Sequence, residues 1–157
     1  MGNKTFGYLN KMRAIIQRVS EASVAIQKEH LQTISKGLVV FVGIGIDDSE
    51  QDVIILANKI LNLRVFSKQN KMNLSILDVS GDLLLISQFT LYADCKKGNR
   101  PSFINAANPD HAKKIYTKFV NYMYNQNLIV KTGVFGEHMD VSLINNGPVT
   151  LMLDTKK

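Results

Sequence analysis

The stretch Leu83-Leu84-Leu85-Ile86-Ser87-Gln88-Phe89-Thr90-Leu91 decides how the centre of this chain folds. Its first four residues are an apolar run, which predicts a buried strand, and we expect this strand to carry Ser87 to Thr90 as well. Three polar residues then interrupt the apolar pattern, which Phe89 and Leu91 resume. Each unpaired polar side chain inside a strand costs roughly a few kcal/mol. We therefore expect this interruption to mark a functional site.

Other segments of the chain predict the elements that surround this strand. The near-continuous apolar run at residues 37–45 is typical of a strand that is buried on both faces. Residues 47–50 offer N-cap chemistry for a helix that continues to about Val65. Asn108 and Pro109 predict a second helix start, with Asn as the N-cap and Pro at the first helical position.

The remaining pattern is mostly that of short strands. We expect two strands within residues 15–26 with a turn near 20–21, a polar loop at 67–73, a short strand at 76–79, and strands at 129–135, 139–144 and 149–153. This order predicts an α+β domain with a mostly antiparallel sheet. Residues 1–11 are predicted to be a flexible polar extension, and residues 12–157 a single domain.

Composition limits the classes of protein to which the chain can belong. Its 157 residues are 45% apolar, which is enough for a real core, and no apolar run approaches the roughly 20 residues that span a membrane. The single cysteine, Cys95, excludes an intramolecular disulfide framework and a cysteine-built metal site. We expect a cytoplasmic protein. The net charge of +6 favours a polyanionic partner such as nucleic acid, although a lysine-rich solvated surface would give the same charge.

Hydroxyl nucleophiles need an adjacent base, and the sequence offers no convincing one. The three histidines, His30, His111 and His138, are scattered, and the Gly-x-Ser-x-Gly elbow is absent. This argues against a conventional catalytic triad and against a zinc site, so we expect no metal and no cofactor.

The polar residues after Ile86 have two interpretations. Ser87, Gln88, Thr90 and successive backbone N–H groups at a strand end could position a carbonyl and stabilise an oxyanion. Alternatively, Ser87 and Thr90 satisfy neighbouring backbone groups and Gln88 points to solvent.

A second unusual segment, residues 145–150, reads Asn-Asn-Gly-Pro-Val-Thr between two strand-like stretches. It could be an ordinary turn, since Asn-Gly and Gly-Pro are common turn sequences. It could also hold a cis bond between Gly147 and Pro148, because an X-Pro bond adopts the cis form at small cost. Two backbone carbonyls on the same side would then form a rigid acceptor pair for an ammonium group.

Four segments together resemble the D-aminoacyl-tRNA deacylase family, in order from Met12 to about Leu153. They are Met12-Arg13-Ala14-Ile15-Ile16-Gln17-Arg18-Val19, Ser87-Gln88-Phe89-Thr90-Leu91, Gly98-Asn99-Arg100-Pro101-Ser102-Phe103 and Asn145-Asn146-Gly147-Pro148-Val149-Thr150. The resemblance implies a barrel-like sheet with two main helices packed on one side. It also implies hydrolysis of the ester between a D-amino acid, or mischarged glycine, and the 3′-terminal adenosine of tRNA, while L-aminoacyl-tRNA is spared.

The resemblance further implies a cofactor-free homodimer whose active sites lie at the subunit interface. Gly147 and Pro148 of one subunit would enter the other subunit's pocket as a chirality gate, with Arg18 holding that segment. Residues 87–90 would line the scissile ester, and the backbone N–H of Phe89 would be an oxyanion donor. Two further residues would face the adenosine, namely Phe135 and Met139.

The chemical step and the function class remain open at the level of sequence. Either Thr90 is a nucleophile, or the protein positions the ester while the ribose 2′-OH assists attack by water. The lack of a base favours the second mechanism. The alternative functions are a DNA- or RNA-binding module without turnover and a hydrolase for another ester or a small D-amino-acid derivative.

Overall fold

The computed structural model describes residues 12–155, so the predicted extension at residues 1–11 lies outside the described part of the chain. In chain order the elements are β1 Arg13–Ile26, β2 His30–Ile34, β3 Gly37–Gly43, α1 Glu50–Asn62, β4 Phe66–Lys68, β5 Lys71–Leu74, α2 Ile76–Val79, β6 Asp82–Ser87, a 3-10 helix Phe89–Tyr92, α3 Pro109–Tyr124, β7 Val130–Thr132 and β8 Met139–Asp154. Within residues 12–155, every helix is too short or too polar to span a membrane.

Strand β1 is the centre of the sheet. One of its edges pairs antiparallel with β3 over residues 13–19 and with β2 over residues 22–26. Its other edge pairs antiparallel with β8 along almost its whole length. Strands β3, β6 and β7 continue the sheet in parallel, and β4 and β5 form a separate antiparallel hairpin. The predicted α+β class with a mostly antiparallel sheet is confirmed.

The two central parallel strands are buried on both faces, as predicted for residues 37–45. Alternate residues of β3 and β6, such as Leu38 and Leu83, join a core that includes α1 and α3. The intervening residues, such as Val39 and Leu84, join a second core with Val24 of β1. Strand β2 contributes to that second core, so the sheet curls into a barrel-like form with both main helices on its outer side. Each fully buried aliphatic side chain contributes about 1.5–3 kcal/mol.

Local capping explains where both main helices begin. Ser49 N–H donates to Asp52 Oδ2 at 2.9 Å at the start of α1, and Asn108 Oδ1 accepts from His111 N–H at 2.9 Å at the start of α3. Such caps satisfy backbone N–H groups that lack an intrahelical acceptor. Both predicted helix starts are confirmed, although α1 ends at Asn62, before the predicted Val65.

Two pairs of predicted strands are single strands. Strand β1 runs through residues 20–21 without a turn, and β8 runs from Met139 to Asp154 without the predicted interruption. The pairing between them absorbs the irregular residues as register shifts. Because β1 keeps neighbours on both edges, a local bulge does not end the strand.

Short-range turn chemistry overrides two further predictions. The expected loop at residues 67–73 is mostly the β4–β5 hairpin, whose turn residues Gln69 and Asn70 have φ of 52° and 66°. Positive φ at both central residues is the requirement of the tight hairpin turn that matches strand twist. The expected strand at 76–79 is the helix α2, because Ser75 N–H donates to Asp78 Oδ2 at 2.8 Å and Ser75 Oγ accepts from Asp78 N–H at 3.2 Å. Strand β7 is shorter than predicted.

Candidate active site

The polar residues after Ile86 mark the end of a strand. Strand β6 ends at Ser87, and the chain turns into the 3-10 helix one residue later. Gln88 N–H donates to Val42 O of the neighbouring β3 at 2.7 Å, which fixes where the chain leaves the sheet. Ser87 and Gln88 are half-buried, whereas Phe89 and Thr90 are exposed. The expectation that the strand extends to Thr90 is wrong, because its last polar residues form a turn at the rim.

This turn presents a hydroxyl and two backbone donors together. Gln88 Nε2 donates to Thr90 Oγ1 at 2.5 Å. The first N–H groups of a helical turn have no intrahelical acceptor, and in the described part of the chain those of Phe89 and Thr90 donate to no acceptor. Both therefore remain able to bind a substrate oxygen. An amide cannot take up a proton at neutral pH, so Gln88 orients the Thr90 hydroxyl without activating it as a nucleophile.

An aromatic contact ties this turn to the loop that follows it. The rings of Phe89 and Phe103 meet edge to face, with centroids 5.1 Å apart. An isolated antiparallel bridge joins Asp94 to Ser102, which brings the two ends of the intervening loop together. Phe89 nevertheless keeps 57% of its surface exposed.

The second unusual segment is a bulge that leaves the β1–β8 pairing. Gln17 pairs with Thr150 and Val19 with Asn145, so two steps along β1 face five steps along β8. Residues 146–149 of β8 therefore lie opposite Arg18 alone, which is three residues more than regular pairing would place there. The bond between Gly147 and Pro148 is cis, and both residues are exposed.

Arg18 holds the bulge against the body of the protein. Its Nε donates to Asn146 O at 3.2 Å, and its Nη2 donates to Asn146 Oδ1 at 2.9 Å and to Gly147 O at 3.4 Å. Its Nη1 donates to Val65 O at 2.6 Å, which anchors the guanidinium itself. Asn145 closes the base of the bulge, where its Nδ2 donates to Val149 O at 3.1 Å.

No contact among residues 12–155 requires glycine at position 147. Its φ lies outside the left-handed region, and a Cβ added there would meet no atom within 4 Å. Gly37 differs, because a Cβ there would collide with the backbone of Asp82 on the neighbouring strand. Gly147 thus differs from Gly37 in having no described neighbour that an added Cβ would meet.

The two segments lie apart in one chain. The turn at residues 87–90 lies near Arg13, whose Nη1 donates to Leu91 O at 3.1 Å, whereas the bulge lies at Arg18. The two arginines are five positions apart along β1, which places their Cα atoms about 16 Å apart. A single chain therefore does not bring Gly147 and Pro148 to the turn.

Phe135 and Met139 lie on either side of the short loop that leads into β8. Phe135 packs on Tyr116 of α3, with ring centroids 5.9 Å apart. Met139 packs in the barrel-side core that includes Ile86, the residue before Ser87. Both are half-buried. Phe135 packs against the other core, which includes Leu85 of the same strand, so both residues border the strand that ends at the turn.

With this geometry in place, comparison with known proteins identifies the family. The profile of the D-Tyr-tRNA(Tyr) deacylase family matches residues 15–154. The chain belongs to this family. D-aminoacyl-tRNA deacylases from Thermosipho africanus and Clostridium perfringens are 56% and 52% identical to it over 147 residues, which cover 93% of this chain and 99% of each relative.

Two solved structures resemble this chain in fold. A structure titled "c-Myc DNA Unwinding Element Binding Protein" is 35% identical, with a TM-score of 0.85 over 90% of this chain and 97% of its own. A second, of a probable eukaryotic D-amino acid tRNA deacylase, shares the fold at 16% identity and a TM-score of 0.82, covering 91% of this chain and 98% of its own. The predicted family is confirmed, and the chain is a hydrolase acting on the ester bond of aminoacyl-tRNA.

Most titratable side chains near the turn of this deacylase have structural partners. Burial raises the pKa of Tyr92 and Tyr116 above the ordinary range of a phenol, so both stay protonated. Their hydroxyls donate to Gly43 O at 3.4 Å and Leu85 O at 3.1 Å. His111 Nε2 lies 2.9 Å from Asp48 O, and among residues 12–155 no group of three or more metal-ligating side chains is close enough to hold an ion.

Arg13 contacts the site of this deacylase, although the sequence pattern indicated no role for it. Besides its bond to Leu91 O, its Nε lies 3.4 Å from Asp154 Oδ2 and its guanidinium lies 4.7 Å from the centre of the Tyr92 ring. Arg13 thus connects β1 and β8 to the 3-10 helix that presents the free N–H groups. The one sequence signal for a role of Arg13 was its position in the first family-like segment. Its contacts could not be predicted, because its partners are all distant in sequence.

Proposed function

We propose that two copies of this chain form a homodimer that hydrolyses D-aminoacyl-tRNA and mischarged glycyl-tRNA and spares L-aminoacyl-tRNA. In each site, residues 87–90 of one subunit hold the ester, and Gly147 and Pro148 of the other subunit form the chirality gate. The proposal needs neither metal nor cofactor. Because the substrate belongs to translation, we assign the enzyme to the cytoplasm.

The exposed bulge carries this proposal. Arg18 holds it through backbone and side-chain acceptors, yet a Cβ on its glycine would meet no described atom within 4 Å. The arginine that holds it also lies about 16 Å along β1 from the arginine that contacts the turn. Both observations are explained if the bulge fits into the site of a second copy, where a Cβ on residue 147 would meet substrate or partner.

An enzyme distinguishes mirror-image esters more easily by excluding the L-ester than by binding the D-ester more tightly. D- and L-aminoacyl esters offer the same chemical groups, so added affinity discriminates poorly between them. A backbone wall at the position where the L side chain must project rejects it by collision. The carbonyls of Gly147 and Pro148 would bind the α-ammonium and form that wall, and Arg18 would hold it in place. Glycine lacks a side chain and would therefore be admitted, which is the logic of an editing site.

The hydrogen bond between Gln88 and Thr90 supports positioning rather than nucleophilic attack by Thr90. In this mechanism water adds to the ester carbonyl carbon, and the bond from that carbon to the ribose 3′-oxygen breaks. The proton lost by the water reaches the departing 3′-oxygen through the neighbouring 2′-OH. The N–H of Phe89 would stabilise the oxyanion that forms in between. Phe135 and Met139 would face the adenosine.

The proposal is tested by comparing three esters at one enzyme concentration with a metal chelator present. We expect rapid loss of D-tyrosyl-tRNA and glycyl-tRNA, with L-tyrosyl-tRNA unchanged. A D-tyrosyl ester on tRNA ending in 2′-deoxyadenosine tests the chemical step, and we expect its turnover to collapse. Equal hydrolysis of the D- and L-esters would contradict the gate, and full turnover of the 2′-deoxy ester would contradict the role of the 2′-OH.

DNA binding without turnover is a second candidate, favoured by one observation. The 35% identical structure carries a title that describes that protein as binding a DNA unwinding element. The net charge of +6 on this chain is compatible with the same partner. Salt-dependent binding of duplex DNA, together with no hydrolysis of any aminoacyl-tRNA, would replace the deacylase proposal.

A further inference from the structure

The loop that follows the turn, residues 94–104, is ordered by its own backbone. Asp94 N–H donates to Ser102 O at 2.8 Å and Ser102 N–H donates to Asp94 O at 2.9 Å. Inside this bridge, Lys96 N–H donates to Asp94 Oδ1 at 3.0 Å, and Gly98 takes the left-handed conformation with φ of 65°. We call residues 94–104 the rim loop. Its pinned ends mean that its side chains project from a defined backbone.

The rim loop carries three cationic side chains and one carboxylate, that of Asp94. Lys96, Lys97 and Arg100 are exposed, and within residues 12–155 none of them forms an ion pair with a carboxylate. Lys118 on α3 differs, since its Nζ pairs with Glu50 Oε2 at 3.0 Å. Three unpaired cations on one short loop favour binding of a phosphate backbone.

Apolar side chains accompany these charges. Ile104 is 75% exposed and Phe103 is 37% exposed. Neighbouring apolar side chains that are exposed together often mark a binding surface. The Phe103 ring contacts Phe89, which belongs to the turn that would hold the ester. Exposed rings beside a basic strip are the surface on which the bases of a single-stranded nucleic acid stack.

From this juxtaposition we propose that the rim loop binds the unpaired tRNA nucleotides that precede the terminal adenosine. The inference rests on the proposed function, because it places the reacting adenosine at residues 87–90. If the ester lies at the turn, the nucleotides on its 5′ side must leave across a surface next to the turn. The rim loop joins that turn both through the chain and through the Phe89–Phe103 contact. Lys96, Lys97 and Arg100 would hold phosphates, and Ile104 would contact a base.

The test compares two double variants that remove the same charge. Lys96→Gln/Lys97→Gln alters the rim loop, and Lys113→Gln/Lys114→Gln alters the exposed surface of α3 as the matched control. Each is assayed on D-tyrosyl-tRNA and on D-tyrosyl-adenosine, which lacks every other nucleotide. We expect the rim-loop variant to raise KM for the tRNA ester at least fivefold more than the control. Hydrolysis of D-tyrosyl-adenosine should stay at the wild-type rate.

Salt dependence and a third variant sharpen this test. For each phosphate of a single strand that the protein no longer neutralises, the slope of log(kcat/KM) against log salt should become shallower by about 0.7. The rim-loop variant should show this change on the tRNA ester. Ile104→Ser should weaken the tRNA reaction alone, since its side chain lies mostly in solvent and supports little of the fold.

Three results would overturn the inference, and a fourth bears on the proposed function. Equal losses in the two double variants would mean that only net charge matters. If the rim-loop variant loses as much activity on D-tyrosyl-adenosine as on the tRNA ester, the substitutions have damaged the turn itself. If the rim-loop variant binds a single-stranded DNA of the same sequence more weakly but hydrolyses the tRNA ester at the wild-type rate, the loop would be a DNA-binding element. If the wild-type enzyme hydrolyses neither D-ester, the proposed function fails and takes the inference with it.

Discussion

The two ends of the first half of β1 are built alike but supported differently. At each end an arginine donates to backbone carbonyls of a neighbouring segment, Arg13 to Leu91 and Arg18 to Asn146 and Gly147. The turn near Arg13 directly follows β6, a strand that is buried on both faces. The bulge at Arg18 projects from the sheet, and a Cβ on its glycine would meet no described atom within 4 Å. The fold of residues 12–155 therefore accounts for the turn, whereas the glycine of the bulge is explained by the proposed second copy.

The largest expected effect comes from removing one backbone donor at the turn. Proline fits the first position of a helix and lacks the N–H, so Phe89→Pro should leave the fold intact. Loss of an oxyanion donor should lower kcat about 100-fold or more. Steady-state kinetics on D-tyrosyl-tRNA measures this. Phe89→Leu keeps the N–H and is the control; if both variants lose kcat equally, the ring matters and the N–H does not.

The bulge should respond in activity without responding in stability. In Gly147→Val the added Cβ meets no described atom of its own chain within 4 Å, so the free energy of unfolding of the subunit should change by less than about 0.5 kcal/mol. If the segment acts in a partner's site, a misplacement there should lower kcat/KM about 100-fold. Urea unfolding and D-tyrosyl-tRNA kinetics measure the two effects. Gly37→Ala is the contrasting control, since its Cβ collides with Asp82 and should cost stability first.

Replacing Arg18 should loosen the gate. In Arg18→Lys, the lysine cannot reproduce the planar set of donors that reaches Val65, Asn146 and Gly147. The loss of one charge-assisted hydrogen bond corresponds to about a tenfold decrease in kcat/KM for the D-ester. Hydrolysis of L-tyrosyl-tRNA should rise at the same time. A variant that loses D-activity without admitting the L-ester would show that Arg18 supports folding and not chiral selection.

The smallest effect is expected at Thr90. If its hydroxyl only positions the substrate, Thr90→Ala loses a neutral hydrogen bond and about fivefold in kcat. Thr90→Ser should restore most of that loss. Single-turnover assays on D-tyrosyl-tRNA measure both. Abolished turnover in a folded Thr90→Ala variant that still binds tRNA would restore Thr90 as the nucleophile.

The sequence predicted what depends on local pattern and failed where distant pairing decides. Continuous apolar runs identified β3 and β6, and caps at Ser49 and Asn108 identified α1 and α3. The strand expected at 76–79 became helix because the Ser75–Asp78 cap outweighed the apolar residues. The continuity of β1 depends on its pairing with β8, which no local pattern contains. For the same reason the contacts of Arg13 could not be predicted, and neither could the separation of the turn from the bulge.

Subunit complementation decides whether a second copy completes the site. Phe89→Pro and Gly147→Val chains, each with its own tag, are coexpressed in equal amounts, and D-tyrosyl-tRNA hydrolysis is measured. In a two-fold dimer with shared sites, each mixed dimer has one site that carries both substitutions and one that carries neither, so about a quarter of wild-type activity should return. If mixed dimers are recovered through both tags and remain as inactive as the parent variants, the gate does not act across subunits and the shared site is wrong.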